Sequence, residues 1–325
     1  MKKIINFTTS IYDTERYADN TDFKSFYRGL GFNGLELMRV GIDEKGIVSA
    51  DDVIGIHLRY FTAWMDLWTG DTQKLLSEFG DYETVKQVYG GTTREAITQM
   101  YIDNLNALPE AKAEYLVLHV SECQLAEAMK RRYHYNCEAV IDATIELVDS
   151  FIGTIQHSPV LLFENLWYPG LDMLEPALTY KLLEKVRYPY TGVMLDIGHL
   201  LNTNTKLRTI DEGVDYVHKV LDMYGDLSFI RGIHLHQSLS GAYAEELMRN
   251  WAAPGGDYNE RRIAVMPHVF KIDTHQPFAS EHVNELIGRI RPEYLVMEQM
   301  SSDRFEHERN LKEQLKYLLP IHQNG

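Results

Sequence analysis

The chain is short of cysteine and of positive charge, and each shortage excludes something. Its 325 residues include two cysteines, Cys123 and Cys137, which form no metal-ligand or redox motif. A disulfide framework is therefore excluded, and the thiols point to a reducing compartment, so the cytoplasm is the expected location. Lys and Arg total 32 against 47 Asp and Glu, a net charge of −15. That disfavours broad attraction to nucleic acid or anionic membranes, although Arg249, Arg261 and Arg262 offer a local basic groove. No apolar run approaches the ~20 residues of a membrane span. The opening Met1-Lys2-Lys3-Ile4-Ile5-Asn6-Phe7 carries two lysines, but its apolar run is too short for a signal peptide and reads as a first strand. No Gly-x-Gly-x-x-Gly loop follows a strand, which argues against an open dinucleotide-binding sheet. There is no low-complexity linker and no internal repeat beyond a strand–helix rhythm.

What is present is that rhythm. The hydrophobic fraction of 45% and charged fraction of 24% are ordinary for a globular protein. Strand-like runs occur at Lys3–Thr8, Gly34–Met38, Val53–His57, Tyr115–His119, Pro159–Asn165, Val193–Asp196, Ile230–His236 and Tyr294–Glu298. Between them lie segments of helical periodicity at Phe23–Leu30, Cys137–Ile155, Leu174–Val186, Ile210–Tyr224, His282–Ile290 and Phe305–Leu319. A further helix, opened by Thr92-Thr93-Arg94-Glu95 as a capping box, is expected to run to Leu108. Eight alternations predict an α/β fold, a single (β/α)8 TIM barrel domain over residues 1–325. Two long connections, about 59–91 after the third strand and 237–271 after the seventh, read as loops at the barrel's C-terminal face. The first is rich in aromatics (Tyr60, Phe61, Trp64, Trp68), and both are candidate lids or substrate walls.

The decisive pattern is what ends each strand. The sixth run, Val193-Met194-Leu195, ends in Asp196-Ile197-Gly198-His199, where Gly198 is expected to let the chain turn. Taken alone, Asp196 reads equally well as a helix N-cap and His199 as a satisfied surface histidine. But the third strand ends in His57, the fourth in His119, the fifth in Glu164 and the eighth in Glu298. The seventh carries His234 and His236, and Asp273-Thr274-His275 precedes the last unit. Buried groups of this kind need partners, and a divalent metal supplies one. Mixed imidazole and carboxylate sets suit zinc, manganese, cobalt or iron.

The segments Leu162-Phe163-Glu164-Asn165, Leu195-Asp196-Ile197-Gly198-His199, Gly232-Ile233-His234-Leu235-His236 and Leu295-Val296-Met297-Glu298, in this order, resemble the xylose isomerase-like barrel superfamily. That group includes sugar epimerases and isomerases, inosose dehydratase-like proteins and endonuclease IV-type nucleases. The resemblance covers most of the chain. Its single-metal members imply Glu164, Asp196, His234 and Glu298 as ligands. His234 is preferred to His236 because the polar pair Gln237-Ser238 follows it at the family's spacing. In the epimerases the two glutamates, here Glu164 and Glu298, also move the proton next to a carbonyl. His57, His119, His199 and His236 would then contact substrate.

The endonuclease IV-like members imply a three-metal cluster, for which His57, His119, His199, Asp273 and His275 are the additional candidates. The chain departs from both patterns. The insertion at 237–271 separates Asp273 and His275 from the seventh strand. No arginine stands in Gln237-Ser238-Leu239-Ser240-Gly241, where many epimerases hold substrate with one. Trp64, Trp68 and Trp167 are candidates to stack on a sugar face. The leading expectation is a metal-dependent sugar or polyol isomerase or epimerase, with a small sugar-like substrate. The alternatives are a multi-zinc phosphoester hydrolase acting on nucleic acid and a barrel that binds metal or ligand without turnover. Members of the superfamily often pair, so a homodimer is a candidate assembly, and the sequence leaves the oligomeric state open.

Overall fold

The computed structural model describes residues 1–107, 112–155 and 157–319. In chain order the elements are β1 (Lys2–Thr8), α1 (Ile11–Thr14), α2 (Asn20–Gly29), β2 (Gly34–Met38), β3 (Val53–His57), α3 (Met65–Thr69), α4 (Thr72–Phe79), α5 (Tyr82–Tyr89) and α6 (Arg94–Asn106). There follow β4 (Tyr115–His119), α7 (Leu125–Ala128), α8 (Cys137–Phe151), β5 (Val160–Glu164), α9 (Pro176–Lys185), β6 (Thr191–Asp196), α10 (Ile197–Asn202) and α11 (Ile210–Leu221). The chain closes with β7 (Ile230–Leu235), α12 (Gly241–Asn250), α13 (Tyr258–Ile272), α14 (Val283–Ile290), β8 (Tyr294–Met297) and α15 (Arg304–Lys316). The eight strands are parallel and form a closed barrel in sequence order, the (β/α)8 architecture the strand–helix rhythm predicts.

Side chains alternate along each strand between the barrel interior and the helical shell. The interior is filled by Ile4, Tyr115, Val117, Leu162, Met194, Tyr294 and Val296. The larger apolar layer lies between strands and helices and includes Phe7, Phe23, Leu118, Phe151, Leu195 and Leu295. Continuing the inward alternation by two residues past Val117, Leu162, Met194 and Val296 reaches His119, Glu164, Asp196 and Glu298. Barrel filling and site therefore share one face: apolar side chains below, polar ones at the C-terminal rim.

The two long connections are too long for simple loops and fold as helical excursions rather than open lids. α3, α4 and α5 end at Gly70, Gly80 and Gly90, all with positive φ, and Asp71 and Asp81 accept backbone hydrogen bonds at the starts of α4 and α5. The second connection folds as α12 and α13, the latter opened by an Asp257–Glu260 capping box. β3 and β7 stand on opposite sides of an eight-stranded barrel, and the two insertions meet across its mouth. Phe79 and Tyr258 pack with ring centroids 4.5 Å apart, and Arg261 donates to the Glu78 backbone oxygen with its guanidinium 3.5 Å from the Glu78 carboxylate.

The capping box expected from Thr92 does not form. The helix begins one residue later, with Thr93 as N-cap, so Glu95 falls at the second helical position rather than the third. The expected extension of this helix to Leu108 lies outside the described residues. Both cysteines are free thiols. Among the described residues no helix is long and apolar enough to cross a membrane.

Candidate metal centre

Strand register puts the polar tips side by side. His119 is the register partner of Glu164, and Asp196 of His234. His236 and Glu298 follow the last residues of β7 and β8, and Asp273 and His275 follow α13. The tips gather into three adjoining groups: His57, His119 and Glu164; Glu164, Asp196, His234 and Glu298; and His199, His236, Asp273 and His275. Glu164 belongs to two of them. Its Oε2 lies 3.0 Å from His57 Nε2 and 2.8 Å from His119 Nε2, while Oε1 lies 3.2 Å from His234 Nδ1. In the third group Asp273 Oδ2 is 3.2 Å from His199 Nε2 and 2.7 Å from His275 Nε2, and the His236 ring stacks on that of His275 at 4.0 Å.

Backbone and carboxylate contacts behind the rings fix which nitrogen faces inward. His57 Nδ1 donates to Leu58 O at 3.0 Å, His199 Nδ1 to Asn165 O at 3.0 Å and His275 Nδ1 to Glu298 O at 2.8 Å. Each therefore presents Nε2 to the cluster. His234 is reversed: its Nε2 faces Glu36 at 2.9 Å, leaving Nδ1 for the cluster. Such outer contacts orient rings for metal binding. Asp196 serves two ends at once. Oδ1 accepts from His199 N as the N-cap of α10, and Oδ2 lies 2.9 Å from His236 Nε2. The cap and the ligand-like position, alternatives in the sequence, are both occupied.

The donor set fits cations. His234 Nδ1 sits 2.9 Å from Glu298 Oε2 and 3.2 Å from Glu164 Oε1. Yet His234 Nδ1, Glu164 Oε1 and Glu298 Oε2, all buried, have no hydrogen-bond partner among the described residues. Nitrogen and oxygen lone pairs converging without hydrogen-bond alignment leave a place for a positive ion. Electrostatics agree in direction. Burial alone would raise the Glu164 and Asp196 carboxyls, but the surrounding imidazoles hold both well below the usual carboxylate range. Burial would lower His275, yet the Asp273 carboxylate brings it up to about 9. His119 is instead pushed down, by its burial. The carboxylates are thus held ionised beside imidazoles, a charge arrangement in which divalent ions would take the place of imidazole protons.

The structure places every candidate ligand and histidine from the sequence in one of these groups. His234 and His236 are not exclusive alternatives, because two residues apart on a strand they share a face; they fall in neighbouring groups. Asp273 and His275 reach His199 despite the intervening helices. Trp64 and Trp68 do not line the cavity above the cluster: Trp64 Nε1 donates to Ser121 O and Trp68 Nε1 to Glu146. Trp167 does line it. Arg261, offered as part of a basic groove, is engaged by Glu78. Gly198 does not turn the chain. It lies inside α10, and a Cβ there would overlap the His236 ring.

Two residues escaped the sequence reading. Glu36 is buried inside the apolar run of β2 and also accepts from Tyr115 Oη at 2.9 Å. A lone carboxylate in such a run was the available signal. Gly55 gives Tyr115 the room for this reach, since a Cβ at Gly55 would overlap the tyrosine ring. Tyr60 packs on His119 with centroids 4.0 Å apart and lines the same cavity, which nothing in its aromatic-rich neighbourhood distinguished in advance.

No family model matches the chain, and no curated protein matches it. Solved structures do. A D-tagatose 3-epimerase-like protein is 12% identical, with a TM-score of 0.51, over 98% of this chain and 97% of its own. Endonuclease IV from Thermus thermophilus is 14% identical, with a TM-score of 0.53, over 98% of both chains. These likenesses over nearly the full length, with the closed eight-stranded parallel barrel, establish that the chain shares the (β/α)8 barrel fold of these two proteins.

Proposed function

We propose that the chain is a phosphoester hydrolase working with a cluster of divalent metal ions. The observation that carries this reading is the set of three adjoining donor groups with Glu164 common to two of them. A one-metal isomerase needs only the group of Glu164, Asp196, His234 and Glu298. It uses His57, His119 and His199 only as substrate contacts, and leaves the convergence of Asp273 and His275 on His199 without a chemical task. Proton transfer by two glutamates also finds little support. Both Glu164 oxygens are turned to imidazoles, and of the pair only Glu298 lines the cavity. The fold itself does not discriminate, because an epimerase-like protein and an endonuclease share it.

In the reaction, water oxygen forms a new bond to phosphorus as the bond from phosphorus to the leaving oxygen breaks. The leaving oxygen takes up a proton, and no electrons are exchanged with a co-reactant. Divalent ions held by the three groups would neutralise charge on the phosphoryl oxygens and lower the pKa of water. The chain's own residues hold the array. Leu58, Asn165 and Glu298 carbonyls and the Glu36 carboxylate set the imidazole orientations, and the roof formed by the two insertions limits access of bulk water.

Element-resolved metal analysis of the native protein, together with hydrolysis of 4-nitrophenyl phosphate and its bis ester, tests the reading. Three ions per chain, one for each donor group, and release of 4-nitrophenol are expected. A single ion per chain, with turnover of sugars and none of phosphoesters, would return the assignment to the isomerase.

A further inference from the structure

The cavity above the cluster has a character that the metal-binding residues do not explain. It measures about 170 Å³. His119, His199, Asp273 and His275 are polar groups on its lining. His57 and Glu298 join them from the cluster, and Tyr60, Thr62 and Gln124 add polar groups, but the larger part of the wall is apolar and includes Leu125 from α7, Leu166 and Trp167 after β5, and Val265 and Val269 from α13. Val265 and Val269 are one helical turn apart and so present a single face of α13 to the cavity. α13 is anchored across the mouth by the Phe79–Tyr258 and Glu78–Arg261 contacts, so this wall belongs to a packed assembly of helices. Trp167 is buried, with 6% exposure. Its indole packs on the His199 ring with centroids 5.2 Å apart and gives the cavity a flat aromatic wall.

A duplex is poorly matched to such a place. Nucleic-acid grooves are lined by unpaired Lys and Arg, whereas this protein carries a net charge of −15 and the Arg261 of its roof is already paired. A sugar's hydroxyls would meet mostly apolar walls. Resting on the hydrolase reading above, we infer that the substrate is a small phosphoester whose carbon part is apolar and flat, seated between Trp167 and the Val265–Val269 face of α13 with its phosphoryl group on the cluster. The cluster then recognises the phosphate, and the helical insertions select what is attached to it.

Equilibrium binding to the metal-loaded protein, by calorimetry and by tryptophan fluorescence, separates the two contributions. The probes are inorganic phosphate, glycerol 1-phosphate, phenyl phosphate and a duplex oligonucleotide containing one abasic site. Phenyl phosphate is expected to bind at least about tenfold more tightly than inorganic phosphate or glycerol 1-phosphate, the order of effect that burying part of one ring supplies. Val269→Trp, which fills the cavity, and Trp167→Ala, which removes the flat wall, should each shrink that margin. Phenyl phosphate binding no tighter than inorganic phosphate overturns the inference. Tighter binding or faster cleavage of the duplex overturns it too, and leaves the hydrolase reading standing. An aryl preference that both substitutions shrink, with no cleavage of any phosphoester, upholds the pocket's selectivity and overturns the hydrolase reading instead.

Discussion

Glu36 and His234 form a buried carboxylate–imidazole pair beneath the cluster, with His234 Nε2 2.9 Å from Glu36 Oε1. The pair turns Nδ1 toward Glu298 and Glu164, so a residue outside the donor groups decides the orientation of one inside them. Replacing Glu36 by Gln keeps the volume but removes the anion that polarises the ring. A loss of outer contacts of this kind typically weakens metal binding about 10–100-fold. The variant is expected to fold and to lose one class of ion first under chelator competition. Unchanged affinity for every ion would show that the pair only fills the barrel.

Glu164 is the residue whose loss should be felt twice. Because its two oxygens face different groups, Glu164→Gln is expected to weaken binding in both the first and second groups. His119→Ala should empty only the first, and His275→Ala only the third. Metal analysis after dialysis against a weak chelator reads the pattern. Equal losses in all three variants would mean that the ions bind as one cooperative unit rather than through separate groups.

Strand ends were legible because the barrel repeats one physical rule at β4, β5, β6 and β8. An apolar inward residue is followed two positions later by a polar one, as in Leu162 then Glu164, or Met194 then Asp196. The choice between His234 and His236 was not legible. Period-two alternation places both inward, and tertiary contacts, the stacking of His236 on His275 and its approach to Asp196, show where the second one goes. Glu36 was visible as a charge in the run Gly34-Leu35-Glu36-Leu37-Met38, but its partner lies 198 residues away in the chain. The helical nature of the insertions had local signals, Asp71 and Asp81 before helices and Gly80 and Gly90 after them. Those signals define elements of eight residues each. They say nothing of where such short helices pack, and the meeting of Phe79 with Tyr258 across the mouth is a tertiary fact.

Gly198 offers a test in which two effects have opposite sign. Alanine in a helix interior is favoured over glycine by about 1 kcal/mol. Here the added Cβ would overlap the His236 ring, and overpacking of a tight interior costs roughly 1–3 kcal/mol. The second effect is expected to prevail, with a net loss of stability in Gly198→Ala and a weaker third metal site as the ring shifts. Denaturant melts and metal analysis check both parts. A stabilised variant with all its ions would show that His236 moves aside freely.

His307 gives the fold a pH dependence that is independent of the cluster. Burial, with Arg16 nearby, lowers its imidazole from 6.5 to about 3, and Nδ1 accepts from Tyr17 Oη at 3.0 Å. The unfolded chain therefore takes up this proton first as pH falls. The contribution of His307 to stability is fully present above about pH 6.5 and is lost between about 6.5 and 3, because the folded state holds the ring neutral. His307→Gln retains an acceptor for Tyr17 but cannot titrate. Its stability deficit against the wild type should be largest at neutral pH and should narrow at about pH 5. Melting temperatures of both proteins across this range, in excess metal to keep the cluster loaded, measure the difference. A deficit that stays constant would mean that the buried ring does not remain neutral, or that it is reached by water before the fold opens.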